Sequence, residues 1–589
     1  MMDPITPEII SNSLCSIAEE MGEVLAARAL SPGINQRRNF STAVYNTAGL
    51  LTALGDHVPV HLGPLRSLAQ AVLEVHPLHS LSQGDSIITS DPYTCGLLPT
   101  WVFLISPVYH NHTPLALVAS IAGHSDAGGV APGGIPTASV EIFHEGVRIP
   151  PVKIAKRGEL DNGLLSLISS NLRTPRHFAE DLKAQLSAAK IGGRRMAGLV
   201  EKYGQEKIKR CMTEIMNRTE ARARESFFML PGACAFEDFI EDSDSKASIN
   251  INLTVSKNDE YLTFDFTGTH PQVECPLNAP SDLALSAVYY AARTAFCPEL
   301  PVNDGFFRTI RVITPKGSLL NPVFPAPVAL AGVNTVQRIT DTVFGCLAWA
   351  IPDKTEAAGT GSAFSFTAGG TTSSGEGYFC FAETHGGGQG AGAHGDGMDG
   401  AAAGITNVMS TPVEILEREF PIIVNSSALI ADSGGPGKFR GGTGIRRSYT
   451  LLRRSAVTIG ADRVTRGPWG LSGGLPGRAA NISIEKSSES DQITAGKFSG
   501  ILEEGSSVII ETAGGGGCGP PLERSPDAVR NDVLEGHVSR EQAEGVYGVI
   551  LSGPDLRVDY RATEERRVGL TNNNSEKLWR RNPRIQKPE

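Results

Sequence analysis

The chain has 589 residues, of which 40% are hydrophobic and 20% are charged, and its formal net charge is -10 at pH 7. At about 150 residues per domain, this length predicts two to four domains. No apolar run approaches the roughly 18 residues that span a bilayer, and the acidic balance gives no electrostatic basis for binding nucleic acid. We therefore expect a globular protein that binds neither nucleic acid nor a membrane.

Three further features of the sequence restrict the class of protein. The nine cysteines include no Cys-x-x-Cys pair, which argues against a zinc knuckle or a redox motif. The first residues contain neither the basic stretch nor the apolar stretch of a secretory signal, so we predict cytoplasmic localisation. The 65 glycines cluster at 385–400, 434–444, 467–477 and 514–519, which favours tight turns and loops in the second half of the chain.

The first part of the chain has the pattern of an α/β domain. Thr6 caps an amphipathic helical pattern, and residues 40–45 form the first strand of a predicted hairpin. A second helical pattern follows over 65–75, and a strand over 84–90 then runs into a loop that begins with Asp91. Polar residues are therefore predicted at the ends of strands.

A compact polar cluster, Gly123-His124-Ser125-Asp126-Ala127-Gly128-Gly129, follows an apolar run over 114–122 that predicts a buried strand. His124 and Asp126 can act as metal ligands or as an acid/base pair, since imidazole titrates near neutral pH and a carboxylate can orient it. The alternative is a loop histidine that the nearby aspartate caps. Either way, this cluster is the first candidate for chemistry.

The same segment loosely fits the Gly-x-Ser-x-[Gly/Ala] elbow of serine hydrolases, with Ser125 as the nucleophile. A helix follows such an elbow, whereas the glycines and the proline over 128–134 oppose a helix. A serine hydrolase is therefore disfavoured. The sequence also contains neither a P-loop nor a His-Glu-x-x-His motif, so no nucleotide or zinc site is predicted from a motif.

A second polar cluster occupies 141–150, where Glu141, His144, Glu145 and Arg148 lie close together in sequence. Such a segment can supply a general base and an anion clamp. A surface strand with paired charges fits the same residues equally well.

The rest of the chain changes character twice. Residues from about 160 to 230 are helical in pattern, with a break expected at Gly192-Gly193, and alternating apolar residues over 249–266 then predict a β-hairpin. Helices are predicted over 284–295 and 339–350. The remainder has the pattern of short strands joined by glycine-rich loops.

These elements predict a mixed fold of the α/β (α+β) class. We expect an α/β domain over 1–230 that carries the candidate site, a mixed β/α domain over 231–400, and a β-rich C-terminal region with glycine-rich loops over 401–589.

A set of motifs in order along nearly the whole chain resembles the B subunits of the hydantoinase/oxoprolinase family, which are related to the acetone carboxylase α subunit. The motifs that carry the resemblance include Met2-Asp3-Pro4-Ile5-Thr6, Val58-Pro59-Val60-His61-Leu62-Gly63, Asp91-Pro92-Tyr93, His124-Ser125-Asp126-Ala127-Gly128-Gly129, Asp265-Phe266-Thr267-Gly268-Thr269, Glu383-Thr384-His385-Gly386-Gly387-Gly388 and Gly514-Gly515-Gly516-Gly517-Cys518-Gly519. The resemblance implies a hydantoinase-B-like fold. It also implies a two-component system, in which an ATP-binding A subunit activates a cyclic amide or related carbonyl compound and the B component, which often holds a metal, completes hydrolysis or carboxylation.

The chain departs from the resemblance at the metal site that the family implies. In the family an Asp follows paired arginines, whereas here Asn39 follows Arg37-Arg38; a His-Leu-Pro-Asp run is replaced by Leu97-Leu98-Pro99-Thr100. Of the four implied ligands only His124 remains. Because tight sites for transition metals need about three or four anionic or imidazole donors, we predict that the family metal is lost and that this chain holds no cofactor of its own.

We therefore predict an enzyme of the hydantoinase/oxoprolinase type, acting on a cyclic amide or another small carbonyl compound by metal-free acid/base chemistry. The reaction is hydrolysis, or a repurposed cyclisation, isomerisation or lyase step. The predicted catalytic residues are His124, Asp126 and Glu145; the predicted substrate-binding residues are Asn39, His61, Asp91, Glu141 and Arg148. ATP is expected only through a hydantoinase-A-like partner subunit, and the chain is expected to form an oligomer. The alternative is a non-catalytic structural or regulatory subunit of such an assembly.

Overall fold

The computed structural model describes residues 5–574, apart from 97, 228–229, 231, 243–247, 259, 373–374, 376, 403, 487–491 and 495. The helices are α1 (Ile5–Arg28), α2 (Pro32–Asn35), α3 (Leu62–Val75), α4 (Pro92–Cys95), α5 (Asn162–Ser169), α6 (Pro175–Tyr203), α7 (Gln205–Ser226), α8 (Ser281–Phe296), α9 (Asp304–Phe307), α10 (Val336–Ala350), α11 (Val413–Glu419), α12 (Pro526–Leu534), α13 (Arg540–Gly545) and α14 (Tyr560–Asn574). Within the described ranges, none of these helices combines the length and apolarity needed to cross a membrane.

The strands up to the middle of the chain are β1 (Phe40–Tyr45), β2 (Leu51–Leu54), β3 (Ser86–Thr89), β4 (Trp101–His110), β5 (Thr113–Gly123), β6 (Val152–Lys156), β7 (Glu159–Leu160), β8 (Cys234–Glu241), β9 (Ser248–Lys257), β10 (Leu262–Asp265) and β11 (Ile310–Ile313). The later strands are β12 (Ser365–Thr371), β13 (Tyr378–Thr384), β14 (Ile422–Leu429), β15 (Ile445–Leu451), β16 (Ser455–Gly460), β17 (Asn481–Glu485), β18 (Gln492–Thr494), β19 (Lys497–Leu502), β20 (Ser507–Glu511), β21 (Leu551–Ser552) and β22 (Arg557–Val558).

A seven-stranded antiparallel sheet organises the N-terminal part, with the strand order β2-β1-β5-β4-β3-β6-β7. Its central strands β4 and β5 pair over their whole length, from Trp101 opposite Gly123 to His110 opposite Thr113. Both strands are buried along most of their length, as expected for strands whose two faces are both covered.

The two faces of this sheet belong to different hydrophobic cores. One face, which includes Val44, Leu104 and Val118, packs against α1, α6 and α7. The opposite face, which includes Phe103 and Leu117, packs against α3, α8 and α10. Because α8 and α10 follow residue 230 in the chain, the predicted division at 230 separates two parts that share one core; the domain limits at 230 and 400 stay a prediction.

Three further sheets complete the larger part of the fold. Strands β8 to β11 form one sheet in the order β11-β10-β9-β8, and two others have the orders β13-β12-β16-β19 and β14-β15-β20-β17-β18. The last two sheets share a core that includes Phe366, Phe381, Tyr449 and Ile482.

The glycine-rich segments differ from the tight turns predicted for them, because they pack backbone against backbone. Gly442 donates its N–H to the carbonyl oxygen of Gln389 at 2.8 Å and accepts from the N–H of Gly515 at 2.9 Å. A Cβ atom on Gly442 would lie 1.9 Å from the carbonyl oxygen of Met398. Side chains are therefore excluded from this layer by the close approach of neighbouring chain segments.

A small helical unit formed by α12, α13 and α14 closes the described part of the chain. Arg524 attaches this unit to the rest: its guanidinium donates to both carboxylate oxygens of Asp396 at 2.7 Å and to Asp532 at 2.8 Å. Arg524 and Asp532 are both buried, whereas the side chain of Asp396 is 36% exposed, so the bond to Asp532 is the one that is shielded from bulk water.

The structure confirms the predicted mixed α/β class and most of the predicted elements, and it corrects two of them. Helix α6 continues through Gly192 and Gly193, where a break was expected. The segment 141–150 contains a short 3-10 turn, Ile142–His144, and no strand, so the surface-strand interpretation is wrong.

Candidate functional site

The two polar clusters predicted from the sequence lie against each other in the structure. The first follows the end of β5, where the N–H of His124 donates to the carbonyl oxygen of Thr100 at 2.8 Å. The second reaches it through two backbone bonds: the N–H of Val147 donates to Ala127 at 2.8 Å and the N–H of Val130 donates to His144 at 2.9 Å. The loops 124–130 and 144–147 therefore form one continuous region, which we call the loop site.

His124 is buried in the loop site and is oriented by Gln185 of α6. Its Nε2 lies 3.1 Å from Oε1 of Gln185, and the amide nitrogen of Gln185 donates to the carbonyl of Val102 at 3.0 Å and to Ser120 at 3.2 Å. Because the Gln185 amide nitrogen is used in this way, Oε1 is the acceptor and Nε2 of His124 carries the proton. Nδ1 has no hydrogen-bond partner among the described residues.

The surroundings keep this imidazole neutral. Burial lowers the pKa of His124, an effect that the nearby Asp181 carboxylate partly opposes, and the ring packs on Phe178 with 4.9 Å between centroids. A neutral ring with a lone pair at Nδ1 can accept a proton or bind a metal ion.

Asp126 has a different role from the predicted one of orienting His124. Its carboxylate accepts the backbone N–H of Arg173 at 2.8 Å and the Arg173 guanidinium at 3.2 Å. The thiol of Cys380 lies 3.7 Å from the same carboxylate, and burial raises the pKa of this thiol. Arg173 also donates to the carbonyls of Gly128 and Gly129, so the Asp126–Arg173 pair holds the loop in shape.

Glu145 is fully buried and ties the loop site to residues that follow α9. Its carboxylate accepts the hydroxyl of Ser139 at 2.8 Å and the backbone N–H groups of Val328 and Ala329 at 2.8 and 2.9 Å. Burial raises the pKa of Glu145 to about 7, although these donors favour the ionised form. The carboxylate is thus able to change its charge near neutral pH.

Asp91 and Arg148 form an ion pair beside an aromatic group. The Arg148 guanidinium donates to both carboxylate oxygens of Asp91 at 3.1 and 2.9 Å, and its central carbon lies 4.8 Å from the centre of the Phe324 ring. Asp91 also caps α4 by accepting the N–H of Tyr93. Glu141 is half-buried, with a carboxylate oxygen 3.7 Å from Nε2 of His144.

Asn39 and His61 are held in different places. Asn39 lies against the end of β5, where its carbonyl accepts the N–H of Gly123 at 2.9 Å. His61 is completely buried; its Nδ1 lies 2.9 Å from the hydroxyl of Ser41 and its ring meets Trp101 edge-on. Burial lowers the pKa of His61 to about 3, so it is neutral at physiological pH.

Sequence reasoning missed the partners that position these groups. Gln185 and Asp181 lie on α6, where helical periodicity marks them only as inward-facing positions. Asp181 is fully buried and accepts the N–H groups of Leu30 and Ser31 at 2.7 and 3.0 Å. The hydroxyl of Ser31 also donates to it and in turn accepts from Ser125 at 2.7 Å. The sequence offered one signal for them: Asp181 and Gln185 are polar residues four positions apart on the inward-facing side of the same predicted helix.

The residues present do not fit the metal that the family resemblance implies. Asn39 and Thr100, at positions where acidic ligands are expected, contribute an amide and a hydroxyl, and Leu97 lies outside the described residues. Across the part of the chain that the structure describes, no group of three or more His, Cys, Asp or Glu side chains is close enough together to hold a metal ion. Of these implied positions, His124 offers an imidazole whose Nδ1 has no hydrogen-bond partner among the described residues; Nε2 of His61 is unpartnered as well.

Comparisons with known proteins agree with the resemblance found in the sequence. The sequence model of the family described as Hydantoinase B/oxoprolinase matches residues 3–521. An uncharacterised protein of Methanocaldococcus jannaschii is 37% identical, over 96% of this chain and 100% of that protein. A protein of Pseudomonas sp. that is assigned as the B component of a D-/L-hydantoinase is 31% identical, over 96% of this chain and 98% of that protein.

Other relatives are much longer than this chain. The 5-oxoprolinase of Dictyostelium discoideum is 31% identical over 88% of this chain, but the match covers 40% of that protein. The chain thus spans less than half the length of the oxoprolinases that it matches.

Two solved structures share the fold. An acetone carboxylase in its nucleotide-free state aligns with a TM-score of 0.87 and 20% identity, covering 98% of this chain and 84% of that chain. The ATP-dependent caprolactamase from Pseudomonas jessenii aligns with a TM-score of 0.86 and 26% identity, covering 96% of this chain and all of the other.

Proposed function

Because the chain belongs to the hydantoinase B/oxoprolinase family, we propose that it is an enzyme component that acts on a cyclic amide or a related small carbonyl compound. The names of the relatives support this substrate class, since caprolactam and 5-oxoproline are both cyclic amides. Ring opening by water is the reaction that we consider first. A cyclisation, isomerisation or lyase step on a similar compound uses the same acid/base chemistry.

We propose that an A-type partner supplies ATP-dependent activation. The matching oxoprolinase is a single longer protein, in which 60% of the chain has no counterpart here. The caprolactamase is ATP-dependent, and its matched chain is covered completely. These two facts support a separate partner chain that carries the nucleotide chemistry, and we expect the working form to be an oligomer of both chains.

The observation that carries the proposal is the state of His124. The imidazole is neutral, Gln185 holds the proton on Nε2, and Nδ1 is left with an unpartnered lone pair among the described residues. In the proposed step, Nδ1 removes a proton from the water molecule that attacks the activated carbonyl carbon. The imidazolium then returns this proton to the departing nitrogen. General base catalysis of this kind contributes about 100- to 10,000-fold to a rate.

The other predicted residues support this step from a distance. Asp126, paired with Arg173, and Glu145, bonded to Val328 and Ala329, maintain the shape of the loop site. We propose that Arg148 and Asp91 border the entrance to the site, with Glu141 beside them. Asn39 and His61 remain proposed contacts for the substrate, Asn39 because it stands where the family has an acidic ligand.

We also propose that the reaction proceeds without the family metal. One imidazole with an amide and a hydroxyl makes a weak site for a divalent ion, since such sites need about three or four strong donors. Elemental mass spectrometry on protein purified without chelators tests this directly. Less than about 0.1 metal ion per chain is expected from the incomplete ligand set; a stoichiometric transition metal would refute the proposal.

A second function is favoured by a specific observation. Three carboxylates of the loop region are fully engaged: Asp126 by Arg173, Asp91 by Arg148, and Glu145 by backbone N–H groups. A chain that has lost catalysis but keeps its fold would look the same. In that case the chain stabilises an assembly whose chemistry occurs in other chains.

The variant His124→Ala separates the two functions. The variant and wild type are purified with the A-type partner, and ATP-dependent ring opening is measured on 5-oxoproline, hydantoin and caprolactam. For an enzyme, turnover falls by about 100-fold or more while the assembly stays intact by size-exclusion chromatography. The control His79→Ala, at an exposed position in a surface turn, leaves turnover unchanged. Unchanged turnover for His124→Ala would establish the non-catalytic role.

A further inference from the structure

A cleft unrelated to the loop site opens between the large sheet and α6. Its volume is about 510 Å³, and its walls come from strands β3 to β6 on one side and from α6 on the other. Pockets that bind small molecules have volumes of about 300 to 1,000 Å³. Because sheets and helices normally pack without voids larger than a water molecule, an opening of this size requires an explanation.

Small residues on both walls create the cleft. On the sheet, Ala155, Ser86, Ser106 and Val118 occupy neighbouring positions on four adjacent strands, since Ser86 pairs with Ala155 and Ser106 pairs with Val118. The hydroxyls of Ser86 and Ser106 are 2.8 Å apart, which places both side chains on the same face. Because the side chains in this row are short, they leave a gap between the sheet and α6.

On α6, the facing positions are Ala189, Gly193 and Ala197, spaced four residues apart and therefore on one face of the helix. The two glycines of α6 differ in what surrounds them. A Cβ on Gly192 would lie 2.4 Å from the sulfur of Met21, so packing against α1 requires this glycine. A Cβ on Gly193 would meet only Cγ2 of Val108 at 3.8 Å.

Gly193 therefore has room for a side chain and lacks one. A glycine inside a helix is less favourable than alanine by about 1 kcal/mol, and filling the space would add buried apolar area. Packing gives no reason for the glycine, whereas a ligand that occupies the same space does.

The charged residues around the cleft indicate the charge of the ligand that it binds. Lys190 and Arg194 project from α6 at its rim, where Lys183 also lies but is bonded to Glu180 at 2.8 Å. The acidic lining residue, Asp85, is already bonded to Lys153 at 3.0 Å and to the backbone N–H groups of Ser82 and Arg157. The cleft thus combines an apolar interior, a pair of hydroxyls and a positively charged rim.

We propose that this cleft binds a small amphipathic anion, a carboxylate with an apolar body of about the size of a medium-chain acyl group. The apolar part lies along Val108, Val118 and Leu186, and the carboxylate lies at the rim near Lys190 and Arg194. This inference does not depend on the proposed function, because it uses no residue of the loop site.

Binding is tested with octanoate, with 1-octanol and octylamine as neutral and cationic analogues. Isothermal calorimetry and the melting temperature are measured on the full chain. Octanoate is expected to bind with one site per chain and to raise the melting temperature, and the two analogues to bind at least about threefold more weakly, as expected from loss of an exposed ionic contact. Equal binding of all three compounds, or no binding of octanoate at millimolar concentration, would overturn the proposal.

Two variants with matched controls locate the site. Gly193→Leu fills the cleft, so it is expected to raise the melting temperature without ligand and to abolish the response to octanoate. Gly198→Leu, on the same helix with open space around it, is expected to leave the response unchanged. Lys190→Gln is expected to weaken the binding of octanoate about threefold. Lys202→Gln, near the end of the same helix, is expected to leave the affinity for octanoate unchanged. A Gly193→Leu protein that still responds fully to octanoate would exclude this cleft.

Discussion

The backbone packing of the glycine-rich layer predicts that Gly442→Ala severely destabilises the protein. The added Cβ would lie 1.9 Å from the carbonyl oxygen of Met398, and real contacts of this kind essentially never fall below 3.0 Å. The two segments must therefore separate by about 1.1 Å, which strains the bonds that Gly442 makes with Gln389 and Gly515. Overpacking costs about 1 to 3 kcal/mol and each lost hydrogen bond about 1 kcal/mol, so we expect a total of about 3 to 5 kcal/mol.

The assay compares Gly442→Ala with Gly198→Ala by thermal unfolding and by hydrogen exchange of residues 513–517. Gly198 lies on α6 with nothing within 4 Å of its added Cβ, so alanine there is expected to stabilise the helix by up to about 1 kcal/mol. At about 2 to 4 °C per kcal/mol for a cooperative unit of 150 to 250 residues, Gly442→Ala is expected to lower the melting temperature by about 6 to 20 °C and to speed exchange in the layer. A melting temperature within about 1 °C of that of the wild type would refute the packing argument.

Three further predictions concern the buried polar groups. The pKa of Glu145 is about 7 in the folded protein against an ordinary value of 4.5, so the folded state binds the proton more tightly than the unfolded state does. The contribution of Glu145 to stability is therefore full below pH 4.5 and is lost as the pH rises through 7. Glu145→Gln should reduce the fall in melting temperature between about pH 5 and pH 7.5, and an identical fall in both proteins would contradict this. Arg524→Met removes the guanidinium that joins Asp396 to Asp532. Asp396 is partly exposed and Asp532 still lies 3.5 Å from Nε of Arg440, so we expect the loss of charged hydrogen bonds to cost about 2 to 3 kcal/mol. Limited proteolysis should then cut the segment that follows residue 521 earlier than in the wild type; cleavage at the wild-type rate would argue against this role of Arg524. Gln185→Leu removes the hydrogen-bond acceptor of Nε2 of His124 and should lower turnover without changing the assembly. Gln185→Glu keeps an acceptor at this position and should lower turnover less. Equal turnover in the wild type and both variants would show that Gln185 does not contribute to catalysis.

Much of the fold was predictable because its strongest signals are local. The apolar spacing of α1, the run that forms β5 and the alternation of β9 and β10 all depend on a few neighbouring residues, and the structure confirms each of them. The continuity of α6 through Gly192 was not predictable, because Met21 of α1 packs against this glycine and stabilises the helix from outside its own sequence.

The candidate site was predictable in part for the same reason. The sequence identified His124, Asp126 and Glu145 as polar groups at the ends of elements, and the structure brings their loops together. It did not identify which groups pair: Gln185 is 61 positions from His124, and Val328 is 183 positions from Glu145. Pairings over such distances depend on the packing of α6 and of the segment after α9, which no local pattern encodes.

The way in which the large sheet is covered has a consequence for protein synthesis. All seven strands of the sheet have been made once the ribosome passes residue 160, but α8 and α10, which cover the face containing Phe103 and Leu117, end at residues 296 and 350. At about 5 to 20 residues per second, the nascent chain displays an apolar sheet surface for about 10 to 40 s. Chaperone binding is expected in that interval, and a fragment that stops near 230 would keep this surface exposed and precipitate.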